Sequence, residues 1–196
     1  MDNKYIIINY LGKNQGKHFT MHALSKLVNI PYASFYRTIQ QMHDIINIEK
    51  IGKSKIIHLR TNNPILKSLL AVSSDEERKE FLAHQPIIRK ITLELNTTEM
   101  VLLFGSYAKK KETERSDIDF LIINNDGKKS LSFSKYELLF KKKINPIFIT
   151  PKEFKEMLKS KEENVGKQAL KNHIILNNPE SFWRLVGVNP SEFPIS

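Results

Sequence analysis

The sequence contains no cysteine among its 196 residues. Disulfide bonds are therefore excluded, and so are thiolate nucleophiles and thiolate metal ligands. This absence suits a reducing compartment, and we expect a cytoplasmic protein. No apolar run approaches the roughly 18 residues that a membrane-spanning helix needs, and the N-terminus is too polar beyond Ile8 for a signal peptide. We therefore expect no membrane partner.

Acidic residues are scarce relative to basic ones, with 21 against 31 and a net charge of +10. Residues 1–62 contain nine basic and three acidic side chains, so more than half of the surplus lies in under a third of the chain. A surplus of this kind favours a polyanionic partner such as nucleic acid, or a phosphorylated substrate. The alternative is a lysine-rich surface that only interacts with water.

Residues 1–62 show the pattern of two short helices followed by a hairpin. Thr20 is a good N-cap for a first helix, which Asn29-Ile30-Pro31 interrupts. A second helix is predicted from about Tyr32 to Met42, and two strand-like runs then flank Gly52-Lys53-Ser54. This order resembles a winged helix-turn-helix domain over roughly residues 1–62.

The resemblance implies binding to double-stranded DNA. The polar face of the second helix would bring Ser34, Arg37, Gln40 or Gln41 near base edges in the major groove. Lys53 and Lys55 on the wing would contact phosphates. A winged helix used only for protein contacts or dimerisation is the alternative.

Residues 63–95 are predicted to form a helical connector. Ser74-Asp75-Glu76-Glu77 has the composition of a helix start, and Pro86 should kink or split the helical stretch. This connector is our candidate for the contact of a homodimer.

Residues 96–196 are predicted to form a third unit, in which strands alternate with helices. We expect strands at 100–104, 120–123 and 144–149, and helices near 131–142, 151–160 and 165–175. Trp183 is expected to pack against the core of this unit rather than to stack on a base. The whole chain is therefore expected to be an α+β protein.

The most informative motif lies between the first two of these strands. The first strand ends in Gly105-Ser106, and Asp117 and Asp119 follow at the start of the next. Residues two apart in a strand point to the same face, so the two carboxylates should lie side by side. Two hard oxygen ligands suit Mg²⁺, which binds a few carboxylates together with substrate phosphates. Gly105 allows a phosphate to approach the backbone, and Ser106 offers an N–H and a hydroxyl.

This motif resembles the signature of the DNA polymerase beta-like nucleotidyltransferases, and above all of their minimal members, over roughly residues 96–176. The resemblance implies a short mixed β-sheet flanked by helices, and transfer of a nucleoside monophosphate from an NTP to a hydroxyl. It makes Asp117 and Asp119 catalytic residues that hold two Mg²⁺ ions. It makes Gly105, Ser106 and Ser116 nucleotide-binding residues, with Lys109 neutralising triphosphate charge.

The sequence departs from the family pattern at two positions. Lys110 replaces a customary glycine, although the length of the loop is kept. Asn145 occupies the position where the family places a third carboxylate, and an amide does not accept a proton at neutral pH. Either catalysis is weaker, another acid such as Glu153 helps, or the domain binds nucleotide without turning it over.

Three functions follow as hypotheses. The first is a Mg²⁺-dependent nucleotidyltransferase with an attached DNA-binding module. The second is a DNA-binding regulator whose nucleotidyltransferase domain senses nucleotide or is vestigial. The third is an antitoxin-like protein that modifies a hydroxyl of a toxin-like protein partner.

Overall fold

A computed structural model describes residues 1–52 and 54–187. These residues form an α+β structure with two separate sheets. In chain order the elements are α1 Asn3–Lys13, β1 Phe19–Thr20, α2 Met21–Leu27, α3 Tyr32–Gln40, β2 Ile46–Ile51, β3 Ser54–Leu59, α4 Leu66–Ala83, α5 Pro86–Glu94, β4 Met100–Phe104, α6 Gly105–Ala108, β5 Ile118–Ile123, α7 Ser134–Phe140, β6 Ile144–Ile149, α8 Pro151–Lys159, α9 Val165–Lys171, β7 Ile174–Asn177 and α10 Pro179–Val186.

The N-terminal region combines helices α1 to α3 with a small antiparallel sheet of order β1-β3-β2. Thr20 caps α2 by accepting from the backbone N–H of Ala23, as the sequence predicts. The helix ends at Leu27, and Asn29, two residues later, adopts a left-handed φ of +53°. The backbone N–H of Ile30 then donates to the carbonyl of Ser25, which is the Schellman pattern that stops a helix sharply. This tight turn sets the angle between α2 and α3.

The second sheet has four strands in the order β6-β5-β4-β7. Strand β4 runs antiparallel to β5 and β7, whereas β5 and β6 are parallel. The sheet is therefore mixed, as predicted, and helix α7 makes the connection that parallel strands require. Three of its strands were predicted and the fourth, β7, was not.

The apolar core continues from the N-terminal helices onto one face of this second sheet. Ile7 and Ile8 of α1, Leu66 and Leu70 of α4, and Leu102 of β4 belong to one buried cluster. The opposite face of the sheet packs on α5 and on the C-terminal end of α4. The apolar residues of the connector are mostly used within the chain, and a homodimer through residues 63–95 stays a prediction.

Helix α4 shows where the sequence pattern was misleading. The predicted helix start at Ser74 is wrong, because α4 begins eight residues earlier at Leu66. Ser74 is completely buried, and its hydroxyl accepts a 2.9 Å hydrogen bond from the indole N–H of Trp183. Ser74 was mistaken for a helix cap, because its place in mid-helix is explained only by the tertiary contact with Trp183. Trp183 itself packs in the core, as expected.

Two other predictions about elements need correction. The helix predicted at 165–175 ends at Lys171, because the chain turns there and pairs with β4 as strand β7. Helix α1 was not predicted, although it supplies Ile7, Ile8 and Leu11 to the core. Pro86 does split the helical connector, and stands at the first turn of α5.

Among the described residues, no helix is both long and apolar enough to cross a membrane.

The close packing of α1 on α4 leads to a test at Gly12. A methyl group at Gly12 would overlap the side chain of Leu70, which is completely buried, and would lie 3.2 Å from Trp183. Alanine is favoured over glycine in helices by about 1 kcal/mol. We nevertheless expect Gly12→Ala to lower the free energy of unfolding by about 1–3 kcal/mol through overpacking. Urea denaturation measures this change.

The matched control is the double variant Gly12→Ala with Leu70→Ala. Leu70→Ala alone should lower the free energy of unfolding by about 2–5 kcal/mol. Because it also opens the space that the new methyl needs, the double variant should lose less than the sum of the two single losses. If the two losses of unfolding free energy simply add, the proposed overlap between the new methyl group and Leu70 is contradicted.

Candidate functional site

The candidate site lies at one edge of the second sheet, where β4 ends and β5 and β6 begin. Asp119 is in register with Phe104 of β4 on one side and with Asn145 of β6 on the other. The antiparallel pairing brings the turn after β4 to the start of β5. The parallel pairing brings the start of β6 to the same place.

Asp117 and Asp119 present their carboxylates on the same side of this edge, as the sequence predicts. The side-chain amide of Asn145 donates to both, at 3.1 Å to Asp117 Oδ2 and 3.2 Å to Asp119 Oδ1. Asn145 therefore lies at the point where the two carboxylates converge. This is the position at which the family resemblance led us to expect a third carboxylate.

Gly105 makes the turn that brings the backbone against Asp119. Its φ is +71°, a left-handed conformation that favours glycine. A Cβ at this position would overlap the carboxylate of Asp119. Any other residue would both strain the turn and fill the space beside the carboxylate.

The remaining nucleotide-binding candidates lie along the loop from α6 to β5. Ser106 follows Gly105 in the short helix α6, and Lys109 is exposed at its end. The hydroxyl of Ser116 accepts from the backbone N–H of Thr113 at 2.9 Å, so it closes the last turn before Asp117. Lys110 takes a left-handed φ of +53° where the family customarily has glycine, so the loop turns without it.

The lysine that reaches the carboxylates is Lys143. Its Nζ lies 3.4 Å from Asp117 Oδ2. The sequence analysis named Lys109 as the lysine that neutralises triphosphate charge, because the β5–β6 pairing that brings Lys143 to Asp117 is not visible in a linear pattern. The hydrogen bond from Asn145 and, after it, that from Lys143 hold the pKa of Asp117 below its usual value.

The suggestion that Glu153 replaces the missing acid is wrong. Glu153 lies in the first turn of α8, where its carboxylate accepts from the backbone N–H of Thr150 at 2.7 Å. Thr150 and Asn145 are at opposite ends of β6, about 16 Å apart along an extended strand. Glu153 completes a capping box and cannot reach the two aspartates.

The chemistry of the site fits a hard divalent cation. Two neighbouring carboxylates at the start of one strand are the kind of donors that Mg²⁺ combines with phosphate oxygens and water. In the described part of the chain, no three His, Asp or Glu side chains converge to hold a metal ion. Asp117 and Asp119 would thus depend on the substrate for further ligands.

The predicted DNA-binding residues lie far from this edge in the sequence, on α3 and the hairpin. Arg37, Gln40 and Gln41 are exposed, and Ser34 is half-buried. Lys55 is exposed and stands directly opposite Lys50 in the β2–β3 pairing. Lys53 lies outside the described residues.

The amide of Asn145 gives a test by titration. We expect Asn145→Ala to raise the pKa of Asp117 because the carboxylate loses its strongest hydrogen-bond donor. Lys143→Met should raise it less. Carboxyl-carbon NMR titration measures both changes.

The effect on stability follows from the direction of the shift. A lowered pKa in the folded state stabilises the protein at pH values above the ordinary aspartate pKa of about 3.9, and this contribution disappears as the pH falls through the folded-state value. The stability lost by Asn145→Ala should therefore shrink below about pH 4. An unchanged Asp117 titration in both variants would contradict the contacts described above.

Comparison with known proteins supports the interpretation of the motif. Residues 86–176 match a family described as "Nucleotidyltransferase domain". The match begins at α5 and reaches into β7, so it contains every element that builds the site. No curated protein and no solved structure matches the chain significantly. The region that carries Gly105, Asp117 and Asp119 therefore matches the nucleotidyltransferase domain family.

Proposed function

We propose that the protein transfers a nucleoside monophosphate from an NTP to a hydroxyl acceptor, with release of pyrophosphate, and requires Mg²⁺. The observation that carries this proposal is the convergence of Asp117 and Asp119 beside the Gly105-Ser106 turn, within the region that matches a nucleotidyltransferase domain. Mg²⁺ bound with the triphosphate would neutralise the charge that develops on the phosphoryl oxygens. The carboxylates hold that ion, and the open turn at Gly105 gives the phosphates access to backbone N–H groups.

The proton of the acceptor hydroxyl needs a base. Asn145 cannot serve, because a neutral amide does not take up a proton at neutral pH. One of the two carboxylates or solvent must accept the proton. General-base catalysis is typically worth about 10²–10⁴-fold in rate. The rate should therefore be lower than it would be with a dedicated third carboxylate.

The paired aspartates provide the test of this proposal. We expect the wild-type protein to bind NTP more tightly with Mg²⁺ than with EDTA, because the metal joins the phosphates to the two carboxylates. Asp117→Asn combined with Asp119→Asn should remove most of the metal-dependent part of the affinity. Isothermal titration calorimetry with each of the four NTPs measures it.

Asp126→Asn is the matched control for this experiment. Asp126 is an exposed aspartate in the loop after β5, where it accepts from the backbone N–H of Lys128. Its substitution should leave metal-dependent binding intact. NTP binding that is equally strong in EDTA would contradict a role for the two carboxylates in metal binding.

We also propose that the N-terminal region is a winged helix-turn-helix that binds double-stranded DNA. The specific observation in its favour is the exposed lysine pair on the hairpin, Lys50 opposite Lys55. Like charges at directly opposed positions destabilise a strand pair. Binding to phosphates would compensate for this repulsion. The exposed side chains of α3 would then read base edges.

If catalysis is absent, the same two regions support the regulator hypothesis, in which bound nucleotide controls DNA binding. Asn145 favours this second function, since it removes one acid from the site. A toxin-like protein that offers a hydroxyl stays a third prediction. The DNA test and the NTP test are independent of each other.

DNA binding should be measured on the whole chain. The apolar face of α1 packs on α4, so a fragment ending at residue 62 would lose part of its core. We expect Lys50→Ala combined with Lys55→Ala to weaken binding to all duplexes alike. The logarithmic salt slope should become shallower by about 0.9 for each phosphate that the protein no longer neutralises. Fluorescence anisotropy at several salt concentrations measures the slope.

Substitutions on α3 should act differently. Arg37→Ala and Gln41→Ala should reduce discrimination between DNA sites, by about 1–3 kcal/mol for each good bidentate contact. Lys128→Ala with Lys129→Ala removes two exposed charges from the loop after β5 and serves as the control. If this control changes the salt slope as much as the hairpin variant does, the hairpin is not the binding surface.

A further inference from the structure

Lys143 occupies a defined place beside the carboxylate pair. Its Nζ approaches Asp117 Oδ2 to 3.4 Å, while 68% of the lysine side chain and 38% of the aspartate side chain remain exposed. The charge therefore sits at the mouth of the site. From there it can contact both Asp117 and an incoming anion.

The backbone fixes the origin of this side chain. The carbonyl of Lys143 accepts a 2.9 Å hydrogen bond from the N–H of Ile118, the residue that follows Asp117. The N–H of the next residue, Ile144, donates to the carboxylate of Glu137 at 2.9 Å. The backbone of Lys143 thus lies beside the start of β5, next to Asp117, whatever conformation the lysine side chain takes.

The charged groups at the site are suited to one divalent cation rather than two. Asp117 and Asp119 contribute two negative charges, the ammonium of Lys143 contributes one positive charge, and the amide of Asn145 is neutral. Two cations held about 3.5–4 Å apart usually share several anionic ligands. A second divalent ion here would find no third carboxylate, and it would meet the ammonium beside Asp117.

We propose that this site binds NTP with a single divalent cation, and that the ammonium of Lys143 supplies the second positive charge beside Asp117. The proposal rests on the proposed function, because it assumes that NTP binds at the two aspartates. Lys143 acts here as a charge-compensating residue. Because Asn145 is neutral, only the carboxylates of Asp117 and Asp119 are left to bind a metal ion there, and a second divalent ion would lack an acidic ligand of its own.

The number of bound ions tests the proposal directly. Native mass spectrometry would count Mn²⁺ ions on the whole chain in the presence of the α,β-methylene analogues of ATP, GTP, CTP and UTP. We expect one Mn²⁺ for each bound nucleotide in the wild-type protein. Asn145→Asp combined with Lys143→Met should bind two, since it adds a carboxylate and removes the ammonium.

The affinity of the analogue for single variants gives an independent measure. Lys143→Met should weaken analogue binding about fivefold, the upper end for an exposed ion pair. Lys143→Arg keeps the charge and should stay within about twofold. Lys141→Met, which removes an exposed charge two residues away, should also stay within about twofold.

The outcomes separate the two proposals. Two Mn²⁺ ions on the wild-type protein, or still one on the double variant, would overturn the role of Lys143 while leaving NTP binding established. Failure of all four analogues to bind would overturn the proposed function, and this inference with it. One ion on the wild type and two on the double variant support both.

Discussion

The register of three strands at Asp119 is the constraint on which the rest of the site depends. Phe104, Asp119 and Asn145 are aligned across β4, β5 and β6. A shift of β6 by one residue would turn Asn145 to the other face of the sheet and separate it from both aspartates. The alternation of buried side chains on both faces opposes such a shift. The packing of the core therefore holds the polar edge in place.

At Gly105 the packing of the backbone directly determines the surroundings of the Asp119 carboxylate. The turn after β4 must pass so near Asp119 that a Cβ would not fit. Glycine is therefore required here both by the left-handed backbone and by the carboxylate of Asp119. The site is thus built from the ends of three strands and the turn after β4, with the amide of Asn145 between the two acids.

The N-terminal region and the nucleotidyltransferase domain share part of one apolar core. Helix α4 contacts α1 on one side and β7 and α10 on another, and Trp183 bonds to Ser74 at its centre. Events at the sheet edge and at the hairpin therefore occur on parts of one packed body. This continuity is the physical connection between the two surfaces that the regulator hypothesis requires.

The sequence by itself determined which residues form the candidate site. The tertiary structure decided which side chains from distant segments lie beside them. The side-by-side Asp117 and Asp119 were predicted from the two-residue period of a strand, and the Gly105-Ser106 turn from its place at the end of a strand. The position of Asn145 was predicted from the family resemblance. Pairing between distant strands was not predictable in the same way. Only the parallel β5–β6 register places Lys143 beside Asp117. Likewise, the hydrogen bond from the buried Trp183 explains why Ser74 stands in the middle of α4 rather than at its start. Local patterns report the conformation of neighbouring residues, whereas contacts between segments distant in the chain depend on how all the apolar faces pack at once.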